Sequence, residues 1–493
     1  MSKALQGGRL LKTRRDIVEF TSSMPSDRRL FEHVVKINQA HIVMLVKQRI
    51  IDSSAGKKLL HALGTVKPPA RLLQPIEDVH MYVEEEVTKK TGLAIGGNLN
   101  VGKSRNDQVA TAIRMELRRC FFLLLRSIVV TQEVLIKLSK RNLSTIIPGY
   151  THLQPAQPIT FAHYLVAQFD AIQRDLERLE ETYERVNASP MGAGALATTS
   201  FPIDRTMVAQ LLGFNSIVEN SLDAVSTRDF ILETLANLVI LNVNLSRLAE
   251  DLILWSSSNY KLIELPDEFA STSSIMPQKK NLDVLEVIRA RTSFTLADLV
   301  ASVNIMEALP TGYNLDLQEI TSKIWNSIDT TVSILKMLVQ LVSRLKVRKD
   351  TLKQSELSFT TSTEMANMLF RKYKVPFRLA HKIVGASAKH LYDRGRTFSD
   401  ITPQLLTEVA RQVTGASLEV DHAIIRSSLD LRKFIESHRV KGGPAPSEVG
   451  EMINGRKKLI LKSKATLLRM SKKLRLAEKM FQSARVKLIS GPK

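Results

Sequence analysis

The chain has 493 residues, 44% of them apolar and 24% charged, a balance that builds a globular interior and excludes a disordered chain. That length exceeds what one compact core usually holds, and predicts two or three domains. The net charge of +21 raises nucleic acid or an anionic surface as a partner, yet from Glu451 to Lys493 thirteen Lys or Arg face two Glu. About half the excess therefore lies in a short tail, and no interleaved aromatics offer bases a stacking platform. A solvated basic surface is the favoured reading of that tail, with nucleic-acid binding the lesser one.

Aromatics make up 5% of the chain, so Leu, Ala and Ile carry the apolar surface and favour helices packed on helices. The single cysteine, Cys120, lies beside Phe121 and Phe122; it excludes an internal disulfide and predicts a buried thiol in a reducing, cytoplasmic setting. Gly7, Gly8 and several charges interrupt the first twenty residues, which removes the apolar stretch of a signal peptide. No later run has the roughly 18 uncharged apolar residues of a membrane span.

In chain order, a helical run is predicted from Leu30 to Ile51, before the glycine-rich stretch AIGGNLNVGKS. A long helix follows from Asp107 to Leu138, where Val109, Ile113, Leu117, Leu124 and Ile128 recur near helical spacing. Pro148 and Gly149 stop that pattern, and Pro155 and Pro158 keep the next peptide out of a regular helix. Further long helices are predicted over Phe161–Val186, Ser226–Leu254, Leu282–Met306 and Leu317–Leu345, separated by the loop SPMGAGALATTSFP and the segment FASTSSIMP. Such lengths exceed the usual three or four turns and call for a large bundle, completed by oligomerisation. From Leu352, shorter helices punctuated by Pro376, Gly395 and GGPAP read as a small separate domain. The expected architecture is all-α, with an N-terminal helical domain (1–105), a central long-helix bundle (106–351), a small helical domain (352–450) and a terminal helix with a basic tail (451–493).

Three polar clusters stand out. In Ser273 to Asn281 (SSIMPQKKN), hydroxyls and two lysines surround a proline just before an expected helix start at Asn281; they suit an anion, or else form a solvated loop in which Asn281 caps the helix. In Gly149 to Gln154 (GYTHLQ), His152 lies among turn-forming residues, where an imidazole can move protons near neutral pH or serve as a hydrogen-bonded structural group. In Ser104 to Gln108 (SRNDQ), Ser104 and Asp107 fit a helix N-terminus, and Arg105 remains able to fork onto a carboxylate.

Together these clusters resemble the fumarase and aspartase superfamily, most closely the argininosuccinate lyases. Gly7-Gly8-Arg9, E77-D78-V79-H80, Ser226 to Phe230, Tyr313-Asn314 followed by D316-L317-Q318-E319, and GGPAPSEV support the likeness, and QKKN points to argininosuccinate lyases over fumarases. The resemblance implies a homotetramer with active sites shared between subunits, no organic cofactor or metal, and reversible conversion of argininosuccinate into arginine and fumarate. It implies Ser273 as general base on a mobile loop, assisted by Lys279 and backbone amides, with His152 as acid or proton relay and Glu286 orienting its ring. Substrate contacts implied are Ser22, Arg105, Asn106, Thr151, Asn281, Tyr313 and Gln318. Plainer roles exist for some: Ser22 as a turn residue, Tyr313 at an interface, and Gln318 and Glu286 on solvated helix surfaces.

The chain departs from the family pattern at Asn100, Val101 and Lys103 before SRND, at Thr272 where a glycine precedes the loop serines, and at Leu282 where a proline follows QKKN. Leu315 and Thr321 stand where lysines are usual. These changes leave two alternatives: a lyase for another N-substituted succinate, and a non-catalytic structural protein on the same scaffold.

Overall fold

The structure is a computed structural model that describes residues 14–69, 76–348 and 359–490. Gly7-Gly8-Arg9 and the boundary near residue 351 lie outside the described residues. The chain is all-α, with only short two-stranded pairings among the described residues.

An N-terminal layer consists of α1 (Phe31–Lys47), α2 (Ser53–Thr65) and α3 (Val79–Thr91). Asp52 and Asp78 begin the latter two by accepting Ala55 N–H and Met81 N–H at 2.8 and 2.7 Å, the usual work of an N-cap. Next comes α4 (Arg105–Arg141), 37 residues long and so about 55 Å from end to end. It opens with a capping box between Ser104 and Asp107.

The bundle continues with α5 (Phe161–Val186), α6 (Arg205–Leu211), α7 (Asp229–Ser256), α8 (Asp283–Met306) and α9 (Glu319–Arg344). Helix α4 packs on α5 and α9, while α7 packs on α5, α8 and α9. By length and composition α7 alone among the described helices could cross a membrane. Here its Leu235, Leu238, Leu241, Leu245, Leu248 and Leu252 are buried against the other helices. One apolar core runs from Met24 through these helices to Phe481, and a second, from Met365 to Ile425, belongs to the short helices after residue 359.

Two local readings gain detail and one changes. The proline-rich stretch after α4 is a hairpin of β1 (Ile146–Thr151) and β2 (Gln154–Thr160), bulged between Pro148 and Tyr150. Asn281 does not cap a helix: it lies on β4 (Lys280–Asn281), paired antiparallel with β3 (Ser271–Thr272), and α8 begins at Asp283. The expected terminal helix takes in the basic tail as far as the described residues reach. It is α10 (Pro446–Ser490), a 45-residue helix that starts at Pro446, where a missing N–H is harmless.

Glu116 of α4 binds the bundle across its width. Only 1% of its side chain is exposed. It accepts hydrogen bonds from Arg29, from Arg119 Nε and Nη2 at 2.7 and 2.6 Å, and from His33 Nε2 at 3.0 Å. Arg29 also reaches Asp329 of α9 at 2.8 and 3.0 Å. Burial alone would raise the Glu116 carboxyl pKa, but bonds from Arg119, His33 and Arg29 outweigh it and hold the group well below the usual range. The same carboxylate sits 3.5 Å from the buried Cys120 thiol, which burial, with this negative neighbour, pushes up to about 12.

Glu116→Gln is expected to lower stability at neutral pH by about 1–3 kcal/mol, because it removes the buried charged acceptor of Arg29, His33 and Arg119 while Arg29 keeps Asp329. A depressed carboxylate pKa contributes stability above its unfolded value and loses it as pH falls towards the folded one. The gap between wild type and variant in urea unfolding is therefore expected to shrink below pH about 4; a gap that widens in acid would contradict this placement.

Candidate active site

The first turn of α4 carries Arg105 and Asn106, and its position is fixed by Asp107. That side chain has no solvent exposure, and its carboxylate accepts the N–H groups of Ser104, Gly192 and Gly194 at 3.1, 3.0 and 2.9 Å. Burial raises the carboxyl to about 6, against the opposing pull of those amides. Gly194 has φ +64°, and a Cβ there would meet Thr198 O at 2.5 Å, so the loop over the helix end requires glycine. Asn106 Nδ2 donates to Ala195 O of that loop at 3.1 Å.

Around this end the structure gathers five of the expected substrate contacts. Arg105 Nη1 pairs with Glu77 and Asp78 at 3.2 and 3.0 Å. Ser22 Oγ donates to Ile76 O at 2.7 Å and to Glu77 O at 3.1 Å, and Gln318 Nε2 donates to the adjacent Thr21 O at 2.9 Å. Tyr313 completes the corner: burial raises its phenol, and Arg228, Asp78, Asp27 and Arg105 all act on it.

Charge in this corner is unusually confined. Asp27 is raised to about 7 by burial and by Asp78, with a hydrogen bond from Ser23 opposing. Lys103 is lowered to about 7 by burial while its ammonium donates to Asn38. Arg228 is fully buried; its Nη1 donates to Thr227 O and Val225 O at 2.7 and 3.2 Å, while Nε and Nη2 have no partner among the described residues. Asp27 was not singled out from the sequence at all, and Asp78 and Arg228 lie in motifs that support the family likeness but were given no role there. Their signals were the acidic pair in EDVH and the lone arginine between Ser226 and Phe230, neither of which carries a role by itself.

Thr151 and His152 lie elsewhere, at the exposed tip of the β1–β2 hairpin. His152 and Leu153 have φ of 53° and 60°, the two left-handed residues of a tight hairpin turn, costly for side chains other than Gly, Asn or Asp. The His152 ring has no hydrogen-bond partner among the described residues. Below it, Tyr150 packs edge-on to Tyr260, ring centroids 5.2 Å apart.

The third group sits between β3 and β4. Ser273 Oγ accepts the N–H groups of Ile275 and Met276 at 3.3 and 3.2 Å. Such donors favour negative charge on the oxygen, in the manner of an oxyanion hole. Thr272, in place of the usual glycine, donates its hydroxyl to Pro277 O at 3.4 Å. Lys280 is tied to Leu265 O and to Asp267 Oδ1, the latter at 2.6 Å, whereas Lys279 and, on the first turn of α8, Glu286 are exposed and unpaired among the described residues. Asn281 Nδ2 lies 3.4 Å from Ser271 Oγ. Within one chain, no hydrogen bond or ion pair among the described residues joins Glu286 to His152, or either to the α4 corner.

A family described as Lyase matches residues 20–293, and one described as Argininosuccinate lyase C-terminal matches residues 359–436. The chain is 40% identical to the argininosuccinate lyase of Methanocaldococcus jannaschii over 91% of its length and 93% of that protein's. It is 41% identical to that of Methanothermobacter thermautotrophicus, over 92% and 98%. The chain belongs to the argininosuccinate lyase family. Its fold is also that of an EDDS lyase crystallised with formate, with a TM-score of 0.88 and 29% identity over 94% of this chain and 92% of the other. A class II fumarase from Schistosoma mansoni shares the fold at a TM-score of 0.66 and 16% identity over 79% and 88%.

Within this argininosuccinate lyase scaffold, Asp107 acts on the site through the residues beside it. Asp107→Ala leaves three backbone N–H groups without an acceptor and releases the glycine loop. It is expected to lower the kcat/KM of the lyase reaction by about 10²-fold through misplacement of Arg105 and Asn106, with far-ultraviolet helix content retained; unchanged kinetics would contradict the anchoring role.

Proposed function

We propose that this protein catalyses the reversible elimination of argininosuccinate to arginine and fumarate, as a carbon–nitrogen lyase of arginine biosynthesis. The observation that carries the reading is the Ser273 hydroxyl oxygen beneath two backbone amides, on a loop that also bears Lys279. A serine hydroxyl is a weak base until its alkoxide is stabilised, and these groups supply that stabilisation.

In the proposed reaction Ser273 takes the proton from the carbon beside a carboxylate of the succinate portion, and negative charge gathers on that carboxylate. Lys279 and Asn281, with Thr151, hold the carboxylate as this charge develops. The carbon–nitrogen bond then breaks, its electron pair leaves with the guanidino nitrogen, and His152, oriented by Glu286, relays the proton that this nitrogen needs. Ser22, Arg105, Asn106, Tyr313 and Gln318 receive the arginine end. Acid–base and electrostatic groups suffice for these steps, so the reading invokes no organic cofactor or metal.

Three groups of side chains at separate places in one chain fit a site completed by neighbouring subunits. Apolar side chains exposed on α7 and α8, among them Val243, Phe294, Leu296 and Val300, support a homotetramer built on these helices. A domain division at residues 105, 351 and 450 belongs to the same reading, supported for the third unit by its own apolar core. The lone buried Cys120 suits a reducing cytoplasm. Leu315 and Thr321, in place of the lysines usual there, favour a second reading, in which the leaving amine differs from arginine.

Fumarate formation from argininosuccinate, followed by ultraviolet absorbance, tests the proposal. Wild type is expected to release fumarate, and Ser273→Ala to lose about 10²–10⁴-fold in rate. A folded oligomer that releases none from argininosuccinate, but does so from another N-substituted succinate, would replace the first reading with the second.

A further inference from the structure

The basic C-terminal excess plays no part in the elimination chemistry, and it has a defined shape on α10. One face of this helix buries Val449, Ile453, Ile460, Leu467, Ala477 and Phe481 against α1, α2, α4, α5 and α6. The opposite face, from Lys458 to Lys487, is about 45 Å long. Leu461 and Leu468 stand out on it at 66% and 65% exposure, followed by Leu476 and Met480, with exposed Lys462, Lys472, Lys473, Arg475 and Lys479 between them. The one acidic residue in that span, Glu478, is paired with Lys36 of α1. Lys464 is paired with Glu133 of α4, and Glu180 of α5 acts on Lys462 and Arg469; Lys472, Lys473, Arg475 and Lys479 remain exposed among the apolar side chains, so the outer face keeps a cationic excess.

Beside this ridge lies a cavity of about 500 Å³ between α1, α4 and α10, with Met115, Phe122, Leu123 and Leu474 on its walls and Arg119 and Arg475 among its lining residues. A second copy of the same face would bring like charges together and be repelled. A nucleic acid would meet the cations but find no aromatic platform, and would leave the leucines uncovered. Leu461, Ala465, Leu468 and Lys472 follow at steps of four, three and four, the spacing of a helix-packing seam. An amphipathic helix with acidic flanks covers the leucines, neutralises the lysines and can place one bulky apolar side chain in the cavity.

We propose that the outer face of α10 and the adjoining cavity dock an acidic amphipathic helix of a partner protein. The probe is a fluorescent synthetic peptide of four heptads, leucine along one seam and glutamate elsewhere, titrated with the purified full-length oligomer and read by anisotropy. A leucine-free polyglutamate peptide and a single-stranded RNA serve as competing polyanions. The test variant combines Leu468→Ser with Lys472→Glu, both on the exposed face, and its rate of fumarate release reports that the fold is intact. The amphipathic peptide is expected to bind more tightly than either polyanion, and the variant to weaken it by about tenfold or more. Equal binding of polyglutamate, tighter binding of RNA, no binding of the amphipathic peptide, or unchanged affinity in a fully active variant would each overturn the proposal.

Discussion

The carboxylate of Asp107, closed off from solvent, accepts the N–H groups of Ser104, Gly192 and Gly194. A buried acceptor with three donors is hard to replace, because each freed amide would have to find another partner out of reach of water. That one side chain joins the start of a 37-residue helix to a glycine loop more than eighty residues later in sequence. Arg105 and Asn106 sit between Ser104's cap and Asp107's anchor, so their directions follow from it. Glu77, Asp78, Thr21 and the loop carbonyl of Ala195 then hold the surrounding side chains in the same corner.

Long helices set this corner far from the other two polar groups. A rigid rod of about 55 Å carries Arg105 and Asn106 at one end, the hairpin bearing His152 follows its other end, and the serine loop immediately precedes α8. The proposed elimination calls on all three groups, and takes them from more than one copy of the rod. In the proposed tetramer the apolar side chains exposed on α7 and α8 are what those copies would bury, while the left-handed backbone at His152 and Leu153 is what the tight hairpin turn requires.

The long helices were legible because burial imposes a local period on the sequence. Phe161–Val186 has the ends its spacing predicts, and α7, α8 and α9 begin and end within about three residues of expectation. The hairpin at Ile146–Thr160 was hidden because Pro148, Pro155 and Pro158 lack the N–H donors by which a strand is usually recognised. Asn281 looked like a helix cap because side-chain type alone does not reveal that Lys280 is tied to Leu265 and Asp267. Family motifs supplied the candidate site residues, while Asp27 went unnoticed and Arg228 had no role assigned, because what distinguishes them is burial beside residues distant in sequence. The terminal helix and its charge were both legible; what the sequence did not show is that the helix begins at Pro446 and carries the basic residues on to Ser490.

The claim on which most depends is that one active site takes His152 and Ser273 from different chains. His152→Asn keeps a residue tolerant of the left-handed turn, and Ser273→Ala removes only a hydroxyl. Each variant alone is expected to be nearly inactive. Unfolding the two together and refolding them as an equal mixture is the direct measurement. Random assembly should restore about a quarter of wild-type fumarate release, the chance that both intact groups meet in one site. If mixed oligomers form and activity stays at the level of the separate variants, the site is not divided in this way.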